Sequence, residues 1–173
     1  GREEPLQALR QFVESDRKVF VLWGRGGLGK SKVLFEFAKL QHKSPKKQWK
    51  DVVFLREIFD INQATLNDLP ATPCIVILDD AHRYDDLDSL LSIFKGNPAA
   101  DKIKLIISAR PLGKDKINYA LYRNIPFDQV QSYELRDLTE DEVKTLVKNI
   151  LIYKNPRVVE VVTNMTKDCP LAT

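Results

Sequence analysis

Gly24-Arg25-Gly26-Gly27-Leu28-Gly29-Lys30-Ser31 decides how the rest of the chain is read. Before it stands a short run of β-branched and aromatic residues, Val19-Phe20-Val21-Leu22-Trp23, which predicts a strand. After it, Val33, Leu34, Phe37, Ala38 and Leu40 recur at helical spacing. The eight residues fit G-x-x-x-x-G-K-[S/T] without a mismatch and hold four of the chain's seven glycines. Backbone N–H groups that curl around phosphate oxygens need conformations and approaches that a Cβ would block. The helix that follows would point its N-terminus, with its fixed partial positive charge, at the same oxygens. Lys30 is then expected to reach the outer phosphates and the Ser31 hydroxyl to ligate Mg²⁺. A phosphate-binding loop between strand and helix is therefore the first expectation.

The second element is Ile75-Val76-Ile77-Leu78-Asp79-Asp80. A strand that is apolar without alternation is buried on both faces, as in a parallel sheet. Two acids at its end bring carboxylates beside the phosphate loop. Asp79 is the candidate Mg²⁺ ligand, and Asp80 the candidate base that orients or deprotonates an attacking water. Asp80 is one methylene shorter than the glutamate many ATPases carry there, which argues for slow hydrolysis. The third element is Leu105-Ile106-Ile107-Ser108-Ala109-Arg110. Ligands of open parallel sheets sit beyond the carboxyl ends of the strands, so Arg110 or Ser108 is a candidate sensor of the terminal phosphate. A surface ion pair is the alternative for Arg110. His82 has two open readings, a relay to a neighbouring domain or a cap on the next helix.

Composition bounds the remaining possibilities. The chain has 173 residues, 43% hydrophobic and 29% charged, with a net charge of +3. That is enough apolar material for one buried core, or one domain and the start of another, and it excludes a wholly disordered chain. No purely apolar run exceeds the length of Cys74–Leu78, against the roughly 20 residues a bilayer requires. No secretory signal is visible. Cys74 and Cys169 stand far apart and neither has a partner at metal-ligand spacing, so a reducing cytoplasmic setting is expected. With only His42 and His82, a multi-histidine metal site is excluded. Four lysines crowd into His42–Lys50, and without them the charge balance would be slightly negative. The plain reading is a solvated loop, and the rival is a patch that tracks nucleic-acid phosphates. The chain starts at Gly1 without Met and stops at Pro170-Leu171-Ala172-Thr173, and it is read as a fragment of a longer protein.

Further elements follow from pattern. Helices are expected over 5–15, 62–69, the LDSLLSIF stretch and 118–123, and strands at DVVFLRE, KIKLIISAR and QSYELRDL. Trp23 and Trp49 are expected as packing residues and Cys74 as a buried strand residue. Thr139-Glu140-Asp141-Glu142 is a capping box, with Thr139 as N-cap. A second helix is expected after Asn155-Pro156. The alternation of strands and helices, followed by helices alone, divides the chain near residue 137. Residues 1–137 form an α/β domain, and 138–173 the truncated beginning of a helical lid.

With these landmarks placed, the chain resembles the nucleotide-binding module of the STAND class of P-loop NTPases, which includes the NB-ARC and NACHT-like switches, in a prokaryotic style. Gly1-Arg2-Glu3 is similar to that class's opening motif, which lines the adenine side of the pocket. GRGGLGKS, VILDDAHR, ISAR and LRDLTEDEV resemble its phosphate loop, acid strand, arginine-bearing strand end and lead into the helical domain. Cys169-Pro170-Leu171-Ala172 resembles its Gly-Leu-Pro-Leu motif, whose proline packs near adenine. Ser108 and Ala109 depart from the two threonines of the class, and Asp168 from its glycine.

The resemblance implies a P-loop sandwich with five parallel strands ordered 5-1-4-3-2. It implies an ATP/ADP switch with slow Mg²⁺-dependent hydrolysis, in which Lys30, Asp80 and Arg110 act on the phosphates and Ser31 and Asp79 hold the metal. Gly1, Arg2, Gly26, Gly27, Leu28, Gly29, Lys30, Ser31, Lys32 and Pro170 would contact nucleotide. It also implies self-association in the ATP state and effector and sensor domains outside this chain. The rival functions are an AAA+-like working ATPase acting on nucleic acid and a nucleotide-stabilised scaffold that does not hydrolyse.

Overall fold

The computed structural model describes residues 2–43, 49, 51–55, 72–92, 98–150, 160, 161 and 163. In chain order the elements are α1 (Glu3–Glu14), β1 (Val19–Trp23), α2 (Lys30–Lys43), β2 (Asp51–Leu55), β3 (Cys74–Leu78), α3 (Leu87–Ser92), β4 (Ile103–Ala109), α4 (Lys114–Asn124), β5 (Val130–Glu134) and α5 (Glu140–Ile150). The strands form one sheet in the order β2-β3-β4-β1-β5, and all four pairings are parallel. This is the 5-1-4-3-2 order the resemblance implied.

The sheet order explains the strand sequences. β1, β3 and β4 are interior strands, and every residue in them is buried. β2 and β5 lie at the edges and are only partly buried. Side chains alternate across β1: Val19, Val21 and Trp23 join one core with α3 and α4, and Phe20 and Leu22 join another with α1 and α2. An interior strand must therefore be apolar at every position. Cys74 and both described tryptophans are buried in these cores, as expected. Burial raises the Cys74 thiol above its ordinary pKa.

Two interior residues, Lys104 and Ser108, both in β4, break the pattern. Lys104 in β4 is 3% exposed. Its ammonium donates to the carbonyls of Phe12 (3.1 Å), Ser15 (2.6 Å) and Arg17 (2.7 Å) at the end of α1. It also lies 4.8 Å from the Phe12 ring centroid and 5.3 Å from that of Trp49. All three donors of the ammonium are used. Lys104 thus fastens α1 to the amino-terminal end of the sheet.

The helices differ from expectation in length. α4 spans Lys114–Asn124 rather than 118–123, because its first turn is polar and carries no apolar stripe. α5 begins with the expected capping box: the Thr139 N–H donates to Glu142 Oε2 (2.8 Å) and the Glu142 N–H to Thr139 Oγ1 (3.3 Å). Arg136 binds both Glu142 oxygens, at 2.7 and 3.0 Å. That pairing, more than the cap, holds the Glu142 carboxyl down to about 2. No described helix is long and apolar enough to cross a membrane. The helix expected over 62–69, most of the one expected after Asn155-Pro156, most of the lysine loop, and Gly1, Cys169 and Pro170 lie outside the described residues, and residues 160, 161 and 163 of the second helix are helical.

Candidate nucleotide-binding site

The glycine-rich loop sits where β1 ends. The Gly24 N–H donates to the Ala109 carbonyl (3.1 Å), so the loop leaves the sheet beside the end of β4. Gly27 (φ 80°) and Gly29 (φ 83°) occupy the left-handed region, where a Cβ is penalised. These two positions turn the chain into α2, whose bond from the Val33 N–H to the Gly29 carbonyl is 3.0 Å. The glycine spacing therefore has a local cause, which is the reversal between strand and helix.

Lys30 is 6% exposed. Its ammonium donates to the carbonyls of Gly24 (2.9 Å) and Arg25 (3.0 Å), so it lies in the hollow of the loop. Burial lowers its pKa, Asp80 and Asp79 oppose this, and Arg110 reinforces it. The loop cation is thus under the influence of both acids and the arginine that the sequence singled out. Ser31 is exposed at the start of α2. Lys32 turns away and pairs with Glu36 at 3.2 Å on the helix surface, leaving its backbone as its part of the loop.

The acid strand end is built around Ser108. Its fully buried hydroxyl donates to Asp79 Oδ1 and accepts from the Asp80 N–H (3.0 Å), which also donates to Asp79 Oδ1 (3.1 Å). Among the described hydrogen bonds Asp79 uses only Oδ1. Ser108 therefore serves Asp79 rather than reaching outward. Asp80 takes a left-handed conformation (φ 54°), and the next residues, Ala81–Arg83, form a 3₁₀ turn. His82 Nδ1 lies 3.9 Å from Asp80 Oδ1, and Arg83 Nε 3.9 Å from Asp80 Oδ2. The following helix, α3, is capped by Asp86, which accepts from the Ser89 N–H (3.0 Å), so His82 is not that cap.

Arg110 packs on the phosphate loop. A Cβ on Gly26 would come within 3.4 Å of the Arg110 guanidinium carbon, so glycine lets the two approach. Arg110 Nε is buried without a hydrogen-bond partner. Lys30, Asp79, Asp80 and Arg110 are thus assembled at the carboxyl edge of β1, β3 and β4.

The fold, rather than the site, can be compared with solved structures. The fold is that of a P-loop ATPase. The chain is similar to the ORC2 protein of Aeropyrum pernix in its ADPNP-ADP complexes, with a TM-score of 0.67 and 16% identity over 94% of this chain. The ADP form of the same protein gives a TM-score of 0.66 at 16% identity and the same coverage. Hsp104 of S. cerevisiae, in its casein complex, gives 0.61 at 13% identity over 87% of this chain. The chain spans 56% of the ORC2 chain and 29% of the Hsp104 chain. No family model and no curated protein sequence matches it.

The donor set suits Mg²⁺ rather than a softer metal. A serine hydroxyl and a carboxylate are hard oxygen donors, and Mg²⁺ normally completes its shell with phosphates and water. Among the described residues no cluster of three or more His, Cys, Asp or Glu could form an all-protein metal cage. Ser31 and Asp79 therefore fit a Mg²⁺ that arrives with a nucleotide, and they fit no self-sufficient protein site.

One further set of contacts has no signal in the sequence. Arg2 donates to the carbonyls of Leu28 in the loop and Arg136 (3.2 Å) beyond β5. Arg25 pairs with Asp137 at 2.6 Å. The Leu135 N–H donates to the Trp23 carbonyl (2.8 Å). Residues 135–137 are thereby tied to the start of the phosphate loop directly, and to its middle through Arg2. Arginines at loop tips have no periodicity, so only the folded chain discloses these ties.

Proposed function

We propose that this chain is the nucleotide-binding module of a STAND-type switch, which binds ATP and ADP and hydrolyses ATP slowly with Mg²⁺. The observation that carries the reading is the position of Lys30. Its ammonium lies in the hollow of the glycine loop, bonded to two loop carbonyls and under the influence of Asp80, Arg110 and Asp79. An ammonium satisfied by neutral carbonyls exchanges favourably onto phosphate oxygens.

In this reading the N–H groups of residues 26–32 and Lys30 bind the phosphates, and Arg2 and Pro170 belong to the adenine side with Gly1. Ser31 and Asp79 hold Mg²⁺, which when bound offsets phosphate charge. Asp80 orients a water and takes its proton. The water oxygen bonds to the terminal phosphorus as the bond to the bridging oxygen breaks, and ADP leaves with that electron pair. Arg110 faces the charge that builds on the transferred group. Residues 1–137 act as the nucleotide domain and 138–173 as the start of a lid. Arg2 donates to the Arg136 carbonyl and the Arg136 guanidinium binds Glu142 at the start of α5, which supports coupling between the two. Self-association in the ATP state, and control of effector domains beyond this chain, complete the proposal.

A second reading is favoured by the likeness to ORC2 and Hsp104 folds. It makes the chain part of an AAA+-like working ATPase. One experiment separates the two. The protein is purified without added nucleotide and denatured, the released ligand is identified, and ATP turnover is then measured with and without DNA. Near-stoichiometric ADP with slow turnover supports the switch. An empty site with fast, DNA-stimulated turnover sinks it in favour of the working ATPase.

A further inference from the structure

Among the described residues, His82 is a mostly buried side chain at the site that the mechanism above leaves without a task. Its backbone follows Asp80 through the 3₁₀ turn Ala81–Arg83. Its Nδ1 is buried with no hydrogen-bond partner. The nearest carboxylate oxygen is Asp80 Oδ1, at 3.9 Å. A buried polar nitrogen without a partner is costly, and the cost falls if the pair closes by about 1 Å to hydrogen-bond length. Catalytic hydrogen bonds are commonly long until substrate is in place.

Gly113, at the end of the turn that follows Arg110, lies against the base of the His82 side chain. A Cβ on Gly113 would fall 2.4 Å from His82 Cβ and 3.3 Å from its Cα. His82 thus lies beside both Asp80 and the Pro111–Gly113 turn, and so spans from the end of the acid strand to the end of the arginine strand. Burial lowers its pKa, Asp80 opposes that, and Arg110, Arg83 and Lys30 reinforce it. The imidazole is accordingly neutral near pH 7 and carries a single N–H.

We propose that His82 is a positioning residue for Asp80, holding its single proton on Nδ1 and donating it to Asp80 Oδ1 so that the carboxylate is aimed at the attacking water. The proposal rests on the hydrolytic reading of the site. Its test includes a readout that needs no turnover.

The chain contains two histidines, so ¹⁵N spectra of histidine-labelled protein resolve both, with His42→Gln giving the assignment. The expected result is His82 protonated on Nδ1, with its signals displaced by Asp80→Asn. A proton on Nε2 that is indifferent to Asp80→Asn overturns the proposal. Turnover gives the second arm. His82→Ala should lower kcat roughly 10- to 100-fold, the usual cost of losing an orienting partner, with KM changed less than about twofold. His82→Asn carries an N–H where Nδ1 stood and should recover most of the rate, whereas His82→Gln places its N–H one bond farther out and should not. Equal rates for the Asn and Gln variants overturn the proposal. A wild-type chain with no ATP turnover refutes the hydrolytic reading instead, and the tautomer result still decides whether His82 holds Asp80.

Discussion

Replacing Ser108 with alanine removes one oxygen from the centre of the site and leaves the backbone and both cores intact. The hydroxyl is fully buried, donates to Asp79 and accepts from the Asp80 N–H. The Asp80 N–H keeps a second acceptor in Asp79 Oδ1 at 3.1 Å, so only the bond to the carboxylate is lost outright. A hydrogen bond to a charged group contributes about 1.5–3 kcal/mol, and the retained N–H puts this loss in the lower half of that range. For a chain of this size that corresponds to a fall in Tm of about 3–8 °C. Asp79 also loses the contact that fixes its orientation. The gain in ADP affinity on adding Mg²⁺ to EDTA-treated protein should therefore shrink in Ser108→Ala, while affinity in EDTA stays within about twofold. Differential scanning fluorimetry and fluorescent-ADP titration read the two effects. A Tm change below about 1 °C together with an unaltered Mg²⁺ dependence would refute the role given to Ser108.

Two other outcomes follow from the geometry. Gly29→Ala should cost about 1–2 kcal/mol, because φ is 83° there while the nearest side-chain atom to a new Cβ, Lys32 Cβ, is 4.0 Å away. The penalty is conformational and not steric, so urea unfolding should show Gly29→Asn milder than Gly29→Ala; the reverse order would contradict the left-handed loop. Burial brings Lys104 down to about 8 from 10.5. The folded chain then holds fewer protons than the unfolded chain between those values, so stability should rise with pH across that window, by about 3 kcal/mol at most. In Lys104→Met that rise should vanish from urea titrations; an identical pH profile in both proteins would contradict it.

How much could be read in advance follows from which residues advertise themselves. The phosphate loop, the acid strand and the arginine strand end are contiguous motifs, and contiguity survives in a sequence. Strands β1, β3 and β4 were legible because interior strands are apolar on both faces. Their order was not, and it came from resemblance to a family. The capping box was legible because its two partners sit three residues apart. Lys104 was not: a lysine inside a strand reads as a solvent-facing position, and only the folded chain brings the end of α1 over it. The first turn of α4 was missed because its exposed Lys114, Asp115 and Lys116 leave no apolar period. The service of Ser108 to Asp79 joins residues 29 apart in sequence, and nothing local marks such a pairing. The bonds from the Arg2 guanidinium to the Leu28 and Arg136 carbonyls were not legible either, because they depend on where β5 ends.

The central claim is that the Gly24–Ser31 loop holds a nucleotide through Lys30. Equilibrium titration of fluorescent ADP into the wild-type chain and into Lys30→Ala, each checked for an unchanged unfolding transition, tests it most directly. The wild type should show saturable 1:1 binding that Mg²⁺ strengthens, that ATP displaces, and that Lys30→Ala weakens by at least about tenfold. Binding of equal strength in the two proteins, or no saturable binding in the wild type, would contradict it.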